Sequence, residues 1–383
     1  MKLFHCQVCQ QALFFENSQC LGCGSQVAFL PDYFTMAAIE PTADGATWQL
    51  RPRTGRKPGP RRYRPCQNGQ DHGVCNFCVP AHDSNPLCVA CRLTSVLPDL
   101  SQDGNLQRWH AIEIAKRRLF YTLAELGLIA TNPPADPLAD HGEKLTFEFL
   151  QDQPGQQVMT GHADGLITIN VAEADDAERA KRRANLREPY RTLLGHFRHE
   201  SGHYYWDVLI RDGNRVQAYR EVFGDESVDY AESLRKHYES GGCPPGWQES
   251  HVSAYASSHP WEDWAETWAH YLHMVDLLET AAAYNTRVSL DLRHGEDSEE
   301  VIDPLEPAGV DFDDLVQQWV PLTLLVNSLN RSLGQGDAYP FALSAGALRK
   351  LRYVHDVISE VRLNGVRVAP TAASSEAPAN QPA

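Results

Sequence analysis

Apolar residues fall into two periodicities along this chain. From about Asp103, the residues Trp109, Ile112, Leu119, Leu123 and Leu126 recur at helical spacing, which predicts a helix with one buried face. Leu145, Phe147 and Phe149 alternate with polar residues, and so do Ile167, Ile169 and Val171. Both stretches predict half-buried strands, with Gly155 and Gly161 in the connection between them. Helical patterning returns over residues 188–211 and 261–283, and two or three more helices are expected within 311–362. One of those has an N-cap candidate in Ser344, just past Tyr339-Pro340. No stretch approaches the roughly 18 continuous apolar residues of a membrane-spanning helix, so no membrane role is expected. Residues 366–383, rich in Ala, Pro, Ser and Gln, predict a disordered tail.

The first hundred residues follow neither period. They hold nine of the ten cysteines, and the tenth is Cys243 in a Gly-Gly-Cys-Pro-Pro loop, expected as a free thiol. Cys6, Cys9, Cys20 and Cys23 form two Cys-x-x-Cys pairs, a four-thiolate pattern for a structural zinc, with iron as the minor alternative. A second cluster offers five thiols for four places: Cys66, Cys75, Cys78, Cys88 and Cys91. By spacing alone, Cys75, Cys78, Cys88 and Cys91 make the simplest tetrahedral set. Met1 to Cys6 opens no long apolar run, so no secretory signal is expected. Paired cysteines then point to metal rather than disulfides, in a reducing, cytoplasmic compartment.

Charge is as segregated as cysteine. The net charge is −16, yet residues 1–100 carry 9 basic and 7 acidic side chains, leaving 25 and 43 in the remainder. That acidic body argues against nonspecific coating of nucleic acid. Seven of the nine N-terminal basic residues lie between Arg51 and Arg64, in a Pro/Gly-rich stretch with no acid. It reads as a solvated linker or as a contact for nucleic acid or protein. The expected architecture is α+β. Zinc ribbons occupy residues 1–100, with a basic linker at 51–64, and a mainly helical domain with a small sheet occupies 101–365.

The chemistry centres on His199-Glu200-Ser201-Gly202-His203. On a helix, residues i and i+4 share a face, so both imidazoles can reach one zinc while Glu200 takes a proton from the attacking water. Leu193, Leu194, Phe197, Tyr204, Tyr205, Val208 and Leu209 surround the motif and predict a core helix. A glutamate there needs a partner, because burying an unpaired charge is costly. A third ligand is required, and the acids of Glu262-Asp263-Trp-Ala-Glu266 are the downstream candidates. Asp225, Glu226 and Asp229 form a further acidic cluster, read as a solvated or capping group or as a structural part of the site. His270 and His273 are expected to pack rather than ligate, and Trp261, Trp264 and Trp268 to be core.

The stretch Tyr255 to Tyr271 resembles the second active-site helix of the lethal-factor type of gluzincin metallopeptidases. That resemblance implies Glu262 as third zinc ligand and Glu266 as the group orienting a ligand histidine. It also implies Tyr255, seven residues before Glu262, as the oxyanion donor. The ordered motifs along the chain are similar to a bacterial family of zinc-binding metallopeptidases with an N-terminal zinc-ribbon domain. They run from the cysteine pairs through Cys75-Asn, Cys88-x-x-Cys91-Arg-Leu-Thr, the histidine motif, Phe223-Gly-Asp-Glu226 and Glu262-Asp-Trp-Ala-Glu266 to Asp337-Ala-Tyr-Pro-Phe341. In that family the position of Cys78 is usually not cysteine, which implies Cys66, Cys75, Cys88 and Cys91 as the second set, with Cys78 as a rival. The expected cofactors are one catalytic and one or two structural zinc ions. Residues 101–365 are then expected to form a zincin-like metallopeptidase domain that hydrolyses a protein or peptide, and Leu166–Val171 is a candidate edge strand for substrate pairing. The alternative is a ribbon module that binds nucleic acid or protein, with a regulatory or nucleic-acid-dependent protease domain.

Overall fold

The computed structural model describes residues 1–53, 57–131, 145–186, 190–289, 298–306 and 309–364. The expected tail at 366–383 lies outside the described residues, as do positions 54–56 of the basic stretch. The architecture is α+β, with a cysteine-rich ribbon region followed by a mainly helical region carrying small sheets.

β1 (Phe4–His5) and β2 (Ala12–Leu13) pair as a hairpin. Each Cys-x-x-Cys of the first cluster is followed by a residue of positive φ, Gln10 at 64° and Gly24 at 70°. That left-handed step folds the chain back, so the Gln10 N–H reaches the Cys6 carbonyl and the Gly24 N–H reaches the Cys20 carbonyl. β3 (Gln26–Leu30), β4 (Thr35–Pro41), β5 (Trp48–Leu50), β6 (Tyr63–Pro65) and β7 (Cys78–Pro80) form an antiparallel sheet in that order. Side chains alternate between its faces. Val27, Phe29, Met36 and Ala38 pack with Phe77 and with Phe120 and Tyr121 of α2 (Asn105–Glu125), which follows the short α1 (Gln67–His72). Ala28, Leu30, Ala37 and Ile39 pack with Tyr63 and Cys78 on the other face.

A second sheet has the order β10-β11-β9-β8, built from β8 (Thr94–Val96), β9 (Thr146–Leu150), β10 (Gly161–Ala163) and β11 (Leu166–Asn170). β8, β9 and β11 run parallel, and β10 turns back antiparallel through Asp164 and Gly165, both with positive φ. This corrects one expectation. The strand at Leu166–Asn170 is flanked on both sides, and the edge strands of this sheet among the described residues are β10 and β8. Three residues are too short to register as an alternating pattern, so the sequence hides β10.

The helices that follow are α3 (Asp176–Leu186), α4 (Leu193–Trp206), α5 (Val216–Phe223), α6 (Tyr230–Glu239), α7 (Pro260–Ala283), α8 (Phe312–Ser332) and α9 (Ala345–Asn364). α4 starts later than the expected 188. Thr192 is extended and its hydroxyl accepts the Gly195 N–H at 2.9 Å, a capping bond that fixes the helix start. Past Trp206 the helix widens into one π turn, Asp207–Arg211. Ser344 caps α9 as expected, accepting the Ala347 N–H at 3.2 Å. Phe147, Phe149, Ile167 and Ile169 of the sheet share one core with Trp109 and Ile112 of α2, Phe197 of α4 and Trp264 and Trp268 of α7. No described helix is long and apolar enough to cross a membrane.

α4 and α7 approach closely at Gly202, where a Cβ would lie 2.9 Å from the Ala265 Cα. Two tryptophans of α7 complete the contact: Trp264 Nε1 donates to the Gly202 carbonyl at 2.8 Å, and Trp268 Nε1 to Ser201 Oγ at 3.2 Å. The two central residues of the histidine motif are thus packing positions. Gly202→Ala is expected to force the helices apart and to destabilise the fold by about 1–3 kcal/mol, as overpacking does. Thermal unfolding checks this, and an unchanged Tm would show that the interface yields.

Candidate active site

His199 and His203 lie one turn apart on α4, with Glu200 beside them, and all three are largely buried. Their donor atoms lie within 4.8 Å of one another. α7 brings a fourth group. His259 caps that helix, its Nδ1 accepting the Trp261 N–H at 3.1 Å, and Pro260 fills the first helical position. This helix start puts Glu262 in the first turn, facing α4. Glu262 Oε2 lies 3.0 Å from His199 Nε2 and 3.5 Å from His203 Nε2. Zinc bound at about 2.0–2.1 Å from each donor in a tetrahedron sets donors about 3.3 Å apart. The observed spacings straddle that value. Glu262 Oε2 is buried and makes no hydrogen bond among the described residues. Glu262 thus places a buried oxygen close to both imidazole Nε2 atoms.

The supports lie behind this centre. His199 Nδ1 meets Glu266 Oε1 at 2.7 Å, and Glu266 Oε2 accepts from Ser253 Oγ at 2.5 Å. The Ser253 hydroxyl also accepts the Ala256 N–H, which holds the short turn Tyr255–Ser258 against α7. Burial opposes a charge on His199, but Glu262 and Glu266 outweigh it and raise its pKa well above the usual histidine value. Burial likewise opposes a charge on Glu262, and His203 and His199 outweigh it and hold its carboxyl well below the usual range. Tyr255 sits with its ring centroid 6.0 Å from that of His199. Burial and then the Glu262 charge push its phenol far up, so it stays a proton donor.

Other groups here were not legible in the sequence. The Tyr230 hydroxyl donates to Glu262 Oε1 at 2.5 Å. The Trp261 ring lies 3.8 Å from the His203 ring, centroid to centroid, so this tryptophan lines the site while Trp264 and Trp268 are core as expected. His162 of β10 stacks on His203 at 6.2 Å and accepts the Gly165 N–H on Nε2, which leaves its proton on Nδ1. The acidic cluster caps and braces. Asp225 accepts from Ser227, Glu226 pairs with Arg220, and Asp229 caps α6. Asp263 turns away to Lys350 at 2.5 Å. His270 and His273 are packing groups, bonded to Tyr339 and Arg198.

Both cysteine clusters assemble. Cys6, Cys9, Cys20 and Cys23 converge, as do Cys66, Cys75, Cys88 and Cys91. The Cys6–Cys23, Cys9–Cys20 and Cys75–Cys88 sulfur separations are 3.8, 3.5 and 3.8 Å. Zinc–sulfur bonds of about 2.3 Å in a tetrahedron require about 3.8 Å. The Ser25 hydroxyl at 3.1 Å brings the Cys23 thiol down to about 6. Cys78 stands apart. It lies on β7 next to Phe77, so strand alternation turns it to the opposite face, where burial pushes its thiol up. Cys243 is an exposed free thiol. The basic stretch is largely engaged within the chain. Arg51 donates to Ser25, Arg53 to the Gln7 carbonyl, Arg61 to Asp32, and Arg64 to the Asp83 and Asn85 carbonyls.

A helix pair gathers two imidazoles and a buried carboxylate, preceded by two clusters of four cysteines, and each of these donor sets fits a zinc ion. The family described as "Putative zinc-binding metallo-peptidase" matches residues 105–357, and a zinc-ribbon domain family matches residues 3–102; the chain belongs to this metallopeptidase family. An uncharacterized protein of Mycobacterium bovis and one each from two strains of Mycobacterium tuberculosis are 40% identical over 372 residues. That span is 94% of this chain and 96% of theirs. No solved structure matches.

Proposed function

We propose that this chain is a zinc-dependent peptidase, with residues 1–100 as a zinc-ribbon module and 101–365 carrying the catalytic centre. His199, His203 and Glu262 hold the ion, and the observation that carries this is the unbonded Glu262 Oε2 between the two Nε2 atoms. When bound, zinc supplies the positive charge that polarises the scissile carbonyl and acidifies the attacking water. Glu200 accepts that water's proton as the bond to carbon forms and returns it to the leaving amine. Tyr255 donates to the oxygen that gains charge in the tetrahedral stage. Glu266 and Ser253 keep His199 in one orientation, so its Nε2 lone pair faces the ion. An extended peptide can add to the edge strand β10, whose His162 stacks on His203. The reading of the basic stretch as a nucleic-acid contact is disfavoured by its intramolecular bonds.

Zinc per chain, compared between wild type and His199→Ala/His203→Ala, tests the assignment. Three ions falling to two is the expected result. An unchanged count would remove the histidine centre and leave a ribbon-type binding protein.

A further inference from the structure

A carboxylate can offer a metal one oxygen or both. With two imidazoles already present, both oxygens of Glu262 would crowd the position that a hydrolytic centre leaves open for water. In this protein one oxygen is already taken: Glu262 Oε1 accepts the Tyr230 hydroxyl at 2.5 Å, while Oε2 remains without a hydrogen bond. We infer that Tyr230 is a positioning residue that fixes Glu262 as a one-oxygen ligand and keeps a coordination position open. This rests on the assignment of Glu262 to the metal.

The surroundings of Tyr230 serve its placement. The residue opens α6, and Asp229 caps that helix by accepting the Glu232 N–H at 2.8 Å. His259, whose Nδ1 is occupied as the cap of α7, uses Nε2 to bond the Val228 carbonyl at 3.1 Å. One histidine thus ties the start of α6 to the start of α7, setting Tyr230 against Glu262. The Tyr230 ring is held edge-on by His259 at 5.2 Å and Trp261 at 5.9 Å. Asp225 and Glu226 brace the preceding turn through Ser227 and Arg220. α6 is mostly exposed, so few apolar contacts compel this helix to sit where it does. The polar tethers place it.

Tyr230→Phe keeps the ring and removes the bond. Chelator competition is expected to show a 10- to 100-fold loss of zinc affinity at the histidine centre, as for other supports of metal ligands. The two thiolate-held zincs should be retained, and they report that the fold is intact. In the cobalt-substituted protein, the visible band of the histidine centre is read as the difference from the same protein carrying His199→Ala/His203→Ala. It should weaken in Tyr230→Phe, as four-coordinate cobalt gains a fifth donor from the freed Oε1. Unchanged affinity with an unchanged cobalt band would overturn the inference. Loss of all three zincs would overturn it too, since the hydroxyl would then be a determinant of the fold. A wild type holding only two zincs would instead sink the metal assignment beneath it.

Discussion

Glu200→Gln is expected to lower peptide cleavage by about 10²–10⁴-fold, the contribution usual for a positioned general base, with zinc content unchanged. Glutamine has the same shape, so the buried packing beside His199 is kept and only the proton acceptor is lost. The reciprocal variant, Glu262→Gln, should lose zinc first, because it removes the charged oxygen that lies 3.0 and 3.5 Å from the imidazole nitrogens. The pair of variants separates the two carboxylates that share this site. Cleavage of a randomised peptide library, read by mass spectrometry beside metal analysis of each protein, makes the comparison. If Glu200→Gln emptied the histidine centre and Glu262→Gln did not, the roles proposed for them would be reversed. If Glu200→Gln cut as fast as wild type, the mechanism would fail.

What the sequence disclosed depended on distance along the chain. His199, Glu200 and His203 were legible because a helix turns a spacing of four into a shared face. Glu262 and Glu266 were visible as candidates and the resemblance implied Glu262 as the ligand; their distances to the imidazoles needed α7 laid against α4, an approach that Gly202, Trp264 and Trp268 accommodate. Tyr230 was invisible. It lies 32 residues before its partner, in a polar stretch without apolar period, and its placement is set by His259 reaching the Val228 carbonyl. β10 was hidden for want of length, which shifted the expected edge to its neighbour. The fifth thiol of the second cluster was ambiguous by spacing. It separates once β7 is recognised as a strand, since Phe77 and Cys78 must then face opposite ways.

Cys88→Ser is expected to cost more than one metal site. Cys66, Cys88 and Cys91 are almost fully buried and share one apolar cluster with Phe77 and with Phe120 and Tyr121 of α2. Beside them, Cys91 Sγ lies 4.0 Å from Glu113, whose other oxygen pairs at 2.8 Å with the buried Lys116. Trp109, a core residue of the helical region, donates to the same Glu113 oxygen at 3.2 Å. The second thiolate cluster is therefore wired into α2, and α2 shares its core with α4. Structural zinc contributes an apparent 10–16 kcal/mol in small modules, as much as the whole stability of an ordinary domain. Losing it should lower Tm sharply, abolish a cooperative transition near the original midpoint, and release the histidine-held ion as well. Cys9→Ser is the contrast. Cys9 is exposed, so water can replace the thiolate, and the expected result is a weakened first cluster with the other two ions retained. Thermal unfolding with metal analysis of both variants decides. A Cys88→Ser protein that kept both its Tm and its histidine-held zinc would show that the ribbons fold apart from the catalytic helices, and that the Glu113–Lys116 pair transmits nothing between them.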